Sequence, residues 1–182
     1  MWVLPTVGSN PTPSATWKRS SHHNATVTDD DAMDLALAEA GEAAAHGDVP
    51  VGAVVLDGDG ALLASGRNRR QLDGDPTAHA EMVALRAAAS IMGTWRLDGA
   101  VVVCTLEPCP MCAGALVAAR VARLVFGAAD PKAGACGSLY NLCADPRLNH
   151  EVAVSRGVGA EASAEVLAAF FAGRRGRPRR PR

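Results

Sequence analysis

Two short stretches decide how this chain is read: Thr77-Ala78-His79-Ala80-Glu81 and Glu107-Pro108-Cys109-Pro110-Met111-Cys112. Each lies where a strand or loop enters a helical pattern. Ligands at two helix starts can converge on one point, and the partial positive charge of a helix N-terminus helps keep thiols ionised. His79 offers one imidazole, and Cys109 and Cys112 offer two thiolates. Three such ligands suit tetrahedral Zn²⁺ with its fourth position left to water, which is the open arrangement of a catalytic site. Glu81 follows His79 by two residues on the same helix. It reads as a proton carrier, not a ligand.

Each part has a plainer reading when taken alone. A histidine at a helix start is often a cap, and a lone C-x-x-C is a redox pair or half of a structural zinc site. A four-cysteine site needs a second C-x-x-C, which the sequence lacks. A redox pair has no use for His-Ala-Glu upstream. The joint pattern therefore favours a catalytic metal.

Outward from this centre, strands and helices alternate. Asp29, Asp30 and Asp31 supply caps and dipole-favourable charge for a helix reaching about residue 46. Leu35, Ala38 and Glu42 align on its successive turns, giving a modest apolar face. A buried strand is predicted over about 51–56, then a turn at Asp57-Gly58-Asp59-Gly60 and a hairpin partner over about 61–65. Residues 66–76 read as a loop, and a second helix runs over about 78–92. An apolar strand covers about 100–104. A helix opened by Pro110 follows, since proline is tolerated in a first turn. Further elements are a short strand at about 124–126, a glycine-rich loop over 128–149, a strand near 151–155 and a last helix over about 162–171. This alternation predicts the α/β class with a mixed sheet of about five strands.

The chain has 182 residues, which suits one domain with tails, and 48% are hydrophobic, enough for a sizeable core. Its formal net charge is −1, but the charge is unevenly spread: Arg174, Arg175, Arg177, Arg179, Arg180 and Arg182 close the chain without an acid among them. This tail is either a phosphate grip, with affinity falling as salt rises, or simply a soluble end. No apolar run is long enough to span a membrane. The five cysteines, an odd number, argue against a disulfide framework and for a reducing cytoplasm. Cys104, Cys136 and Cys143 read as small apolar residues, and Phe170 and Phe171 as core or edge packing. Residues 1–28 lack periodicity and read as a disordered extension, with 29–173 as the domain and 174–182 as the basic tail. Gly8-Ser9-Asn10-Pro11 can be encoded by GGT-TCG-AAT-CCN, which contains the GTTCGAATC of a transfer-RNA T-arm. Translation is therefore expected to start downstream, with a GTG codon at Val27, unless the segment is an ordinary tail.

The two stretches match H-x-E followed by P-C-x-x-C, the already known signature of zinc nucleobase deaminases. With Val49-Pro50-Val51-Gly52-Ala53, Asn68, Asp130-Pro131-Lys132 and Gly134 to Leu139, the chain resembles the cytidine and deoxycytidylate deaminase superfamily. The run Thr105 to Ala115 and the Gly137-Ser138-Leu139 loop make it similar to the branch acting on adenosine in tRNA. The resemblance covers about residues 32–175 and implies a three-layer α/β/α cytidine-deaminase-like fold. It implies His79, Cys109 and Cys112 as ligands of one Zn²⁺ per subunit and Glu81 as proton shuttle. It further implies substrate contacts by Asn68, the Ala80 backbone N–H, Asp130 and Lys132, and a homodimer that meets a tRNA anticodon stem-loop. The implied reaction is hydrolytic conversion of adenosine to inosine at the wobble position, typically of an arginine tRNA with an ACG anticodon. Asn68 and Asp130 also read as turn residues, and Lys132 as a solvated charge. Deamination of free guanine, cytosine or a nucleotide uses the same catalytic set. A non-catalytic zinc-stabilised binding module is the third alternative, and Glu81 argues against it.

Overall fold

The computed structural model describes residues 27–174. The rest of the predicted N-terminal extension and the arginine tail from Arg175 lie outside the described residues.

Helix α1 (Asp29–Ala45) starts one residue earlier than the acidic run suggests. Thr28 is its N-cap. The Thr28 hydroxyl accepts from the Asp31 N–H at 3.1 Å, and the Asp31 carboxylate accepts from the Thr28 N–H at 3.1 Å. This reciprocal capping box satisfies two donors that a helix start otherwise leaves open. The buried face of α1 is Ala32, Met33, Ala36, Ala40 and Ala43, not the expected line of Leu35, Ala38 and Glu42. Leu35 is 40% exposed. Close approach decides the matter: a Cβ on Gly52 would stand 1.9 Å from the Ala36 carbonyl oxygen. Only the alanine face can lie this near the sheet.

Strands β1 (Gly52–Leu56) and β2 (Leu62–Arg67) form the predicted hairpin. Its turn is held by the Asp57 carboxylate, which accepts from the N–H groups of Asp59 and Ala61. A four-residue helix, α2 (Arg70–Asp73), interrupts the expected loop. Then come α3 (Ala80–Met92), β3 (Val101–Leu106), α4 (Pro110–Ala118) and β4 (Arg123–Ala128). A 3₁₀ turn at Leu142–Ala144 precedes β5 (Ala153–Arg156) and α5 (Ala160–Arg174). No helix among the described residues is long and apolar enough to cross a membrane.

The sheet order is β2-β1-β3-β4-β5. β1 pairs antiparallel with β2 and β3, while β3–β4 and β4–β5 are parallel. The sheet is therefore mixed and five-stranded, as expected. Alternation along the strands builds two cores. Ala53, Val55, Val102, Cys104, Leu124 and Phe126 pack with α3 and α4 on one face. Val54, Leu56, Val103 and Val125 pack with α1 on the other. Cys104, Cys136 and Cys143 are all buried, as small apolar residues would be. Phe170 and Phe171 stack edge to face on α5 with ring centroids 5.4 Å apart, and Phe171 stays exposed.

Gly66 performs on the α3 face what Gly52 performs under α1. A Cβ there would lie 2.5 Å from the Ala80 carbonyl oxygen and 2.6 Å from the Ala84 nitrogen. Gly66→Ala is expected to destabilise the protein by about 1–3 kcal/mol through overpacking. At Gly41, where a Cβ meets nothing within 4 Å, the same change should stabilise α1 by about 0.5–1 kcal/mol. Urea unfolding reads both, and equal midpoints for the two variants would contradict the close-packing argument.

Candidate active site

The first turns of α3 and α4 meet beyond the carboxyl end of β3. His79 is the N-cap of α3, Cys109 the N-cap of α4, and Cys112 lies in the first turn of α4. Neither cap closes its helix with a side-chain hydrogen bond, so both side chains remain for another task. His79 Nδ1 lies 3.6 Å from Cys109 Sγ and 3.5 Å from Cys112 Sγ, and the two sulfurs are 3.7 Å apart. Tetrahedral zinc with ordinary bond lengths places two sulfurs about 3.8 Å apart and sulfur and nitrogen about 3.6 Å apart. The three atoms therefore fit one zinc ion without rearrangement. Among the described residues this is the single cluster of three such ligands.

The electrostatics favour a cation. The Cys112 thiol donates to Cys109 and, with His79 beside it, draws the Cys109 thiol down to about 3. The same hydrogen bond, aided by burial, pushes the Cys112 thiol up. His79 is raised, chiefly by its hydrogen bond to Cys109 and against the effect of burial. Glu81 is 4% exposed, and burial raises its carboxyl above the usual range. A carboxyl so placed holds a proton more readily than a solvated one.

A cavity of about 150 Å³ opens beside these residues. Its wall includes His79, Ala80, Glu81 and Cys109, together with Asn68, Arg70, Glu107 and Asp130. Asn68 is nearly buried; its Nδ2 donates to the Val49 carbonyl at 3.0 Å, while its Oδ1 has no partner among the described residues. A buried amide oxygen left so costs about 1–3 kcal/mol. It is an acceptor available to a ligand. Asp130 also borders the cavity, with Oδ1 accepting from the N–H groups of Lys132 and Ala133 in a tight turn. Lys132 is exposed and does not line the cavity.

Glu107 had drawn no role from the sequence. It is 2% exposed and accepts from the backbone N–H groups of Asp130, Cys136 and Ser138 at 2.9–3.0 Å, and from the Ser138 hydroxyl. Burial pushes its carboxyl up, but these hydrogen bonds outweigh burial and hold it below the usual range. One side chain thus ties the whole 130–138 loop to the segment carrying Cys109. The available signal was a carboxylate at the end of an apolar strand, where only a satisfied one survives.

The model of the cytidine and deoxycytidylate deaminase zinc-binding region matches residues 26–128. The chain belongs to this family. It is 47% identical to a tRNA-specific adenosine deaminase of Bacillus subtilis over 139 residues, 76% of this chain and 86% of that one. It is also 51% identical to part of a tRNA(Ile)-lysidine synthase of Deinococcus deserti, covering 78% of this chain but 26% of that protein. Among solved structures, a tRNA:A34 deaminase studied for A-to-I editing at the wobble position superposes with a TM-score of 0.72. It shares 43% identity, over 75% of this chain and 98% of that one.

Metal content separates the ligands from the carboxylate. Cys109→Ala should lose zinc by elemental analysis and lose thermal stability with it; unchanged zinc content would remove this thiol from the set. Glu107→Gln places an amide N–H₂ against backbone donors and should cost about 1–3 kcal/mol. Hydrogen exchange should speed up at Asp130, Cys136 and Ser138, and unaltered exchange there would contradict the tether.

Proposed function

We propose that this protein hydrolytically deaminates adenosine to inosine at the wobble position of a tRNA anticodon, with the arginine tRNA bearing ACG as the expected substrate. The observation that carries the reading is a three-ligand zinc geometry with a buried carboxylate and an unpartnered amide oxygen in one small cavity. When bound by His79, Cys109 and Cys112, zinc supplies a Lewis acid that brings the pKa of a coordinated water down to about 7.

The chain's own residues do the rest. Glu81 takes a proton from the attacking water and passes it to a ring nitrogen of the base. It then takes the proton of the hydroxyl newly added to the ring carbon and gives it to the amine, so that the C–N bond breaks, the carbonyl forms and ammonia leaves. Asn68 and the N–H of Ala80 hold the base edge, and Asp130 with the loop through Lys132 to Ser138 meets the RNA around it. The narrow cavity admits one extruded base. Extrusion is cheap here, because an anticodon-loop nucleotide is already outside a duplex.

We further propose a homodimer working in the cytoplasm. An apolar groove between α3 and α4 is lined by Met82, Leu85, Trp95 and Ala118, and exposed Met92 follows Ala89 of the same wall by one helical turn. Met92 is 49% and Trp95 61% exposed, a large apolar surface for a lone domain to leave in water. A second copy would cover it. The thiol ligands need a reducing compartment.

Incubation with an anticodon stem-loop RNA, in parallel with free adenine, guanine and cytosine, is expected to yield inosine from the RNA alone. Turnover of a free base with intact RNA would overturn the reading. Glu81→Ala should keep its zinc and lose activity by about a hundredfold or more, whereas near-normal activity would end the shuttle assignment. Light scattering should find a dimer for the parent protein and a monomer for Met92→Glu/Trp95→Glu; a monomeric parent would contradict the dimer.

A further inference from the structure

We infer that Arg70 binds a backbone phosphate beside the nucleotide in the cavity, and so selects a polynucleotide over a free base. This inference rests on the substrate being RNA. Two consecutive arginines open and cap α2, and the structure treats them differently. Arg69 pairs with Asp73 through Nε and Nη2, both at 2.8 Å. Its charge is already matched within its own turn. Arg70 has no acidic partner within 4.0 Å among the described residues, and it lines the cavity.

The acids around the cavity do not neutralise it. Glu107 is occupied by four donors from the 130–138 loop. Asp130 accepts from the Lys132 and Ala133 N–H groups. Glu81 lies on the wall but is nearly buried, beside the ligands. Arg70 is thus the one arginine or lysine on the cavity wall.

Its position is also fixed. The fully buried carboxylate of Asp48 accepts from the Gln71 N–H at 2.7 Å and the Leu72 N–H at 3.2 Å. This clamp anchors the α2 backbone from outside the helix through the Gln71 and Leu72 N–H groups, and so holds the base of the Arg70 side chain at the cavity wall. A neutral purine or pyrimidine offers a guanidinium no counter-charge. An inserted nucleotide within RNA carries a phosphate on either side of its sugar, and a guanidinium fork matches phosphate oxygens in a bidentate manner.

The test measures inosine formation in an anticodon stem-loop RNA across a series of KCl concentrations. It compares the parent protein with Arg70→Gln, Arg70→Lys and Arg69→Gln. Arg70→Gln should raise KM several-fold with kcat little changed, and should flatten the dependence of log(kcat/KM) on log[KCl] by about 0.7–0.9, the loss of one phosphate contact. Arg70→Lys should restore most of the salt dependence. Arg69→Gln removes the same formal charge one residue away and should leave both quantities near the parent values. A parent-like KM and salt slope for Arg70→Gln, or equal effects of the two glutamine variants, would overturn the inference while leaving the RNA reading intact. A parent protein that makes no inosine in RNA would instead remove that reading, and the phosphate contact with it.

Discussion

The structure depends on holding one imidazole nitrogen and two sulfurs within 3.7 Å of one another inside a low-dielectric wall. Left as thiols and a free ring, such a cluster is poorly compensated: the Cys109 thiol falls to about 3 while that of Cys112 rises. A divalent cation held by His79, Cys109 and Cys112 would resolve the conflict by taking the place of the shared protons. Much of the fold can be understood as what keeps two helix starts at this separation. Gly66 lets α3 lie against β2, and the parallel pairing of β3 and β4 leaves a cleft at their carboxyl ends for the start of α4.

Around that centre, buried carboxylates position backbone instead of reacting. Glu107 gathers the 130–138 loop, and Asp48 fixes α2. Both are buried carboxyl groups whose burial is tolerable because backbone donors satisfy them. Glu81 differs in kind. Burial raises its carboxyl, and the same burial sets it beside the ligands. The three carboxylates show how environment, not residue type, separates a carboxyl held low by backbone donors, as at Glu107, from one raised by burial, as at Glu81. The cavity wall then combines a rigid floor of helix starts with a rim set by the two clamped segments.

Local periodicity made a large part of this legible. His79, Ala80 and Glu81 are neighbours in sequence, and Cys109 and Cys112 are one helical turn apart, so their convergence could be read from spacing. The hairpin turn and the order of strands and helices were readable for the same reason. What escaped depends on contacts between distant residues. The short helix α2 looked like loop because its stabilising carboxylate, Asp48, lies 23 residues from Gln71. The face of α1 was misjudged because side-chain size suggested Leu35, while the approach of Gly52 to Ala36 demanded alanine. Glu107 was passed over because its partners lie 23 to 31 residues away. Arg70 and Arg69 are alike in sequence, and only the pairing of Asp73 with Arg69 separates them.

The central claim is a metal held by two sulfurs and one nitrogen of the protein, with one position left open. X-ray absorption at the zinc edge of the purified protein tests it most directly. The account predicts two sulfurs at about 2.3 Å and two nitrogen or oxygen neighbours at about 2.0–2.1 Å, one of them exchangeable with added small anions. A shell of three or four sulfurs, or a fourth ligand that no anion displaces, would contradict it.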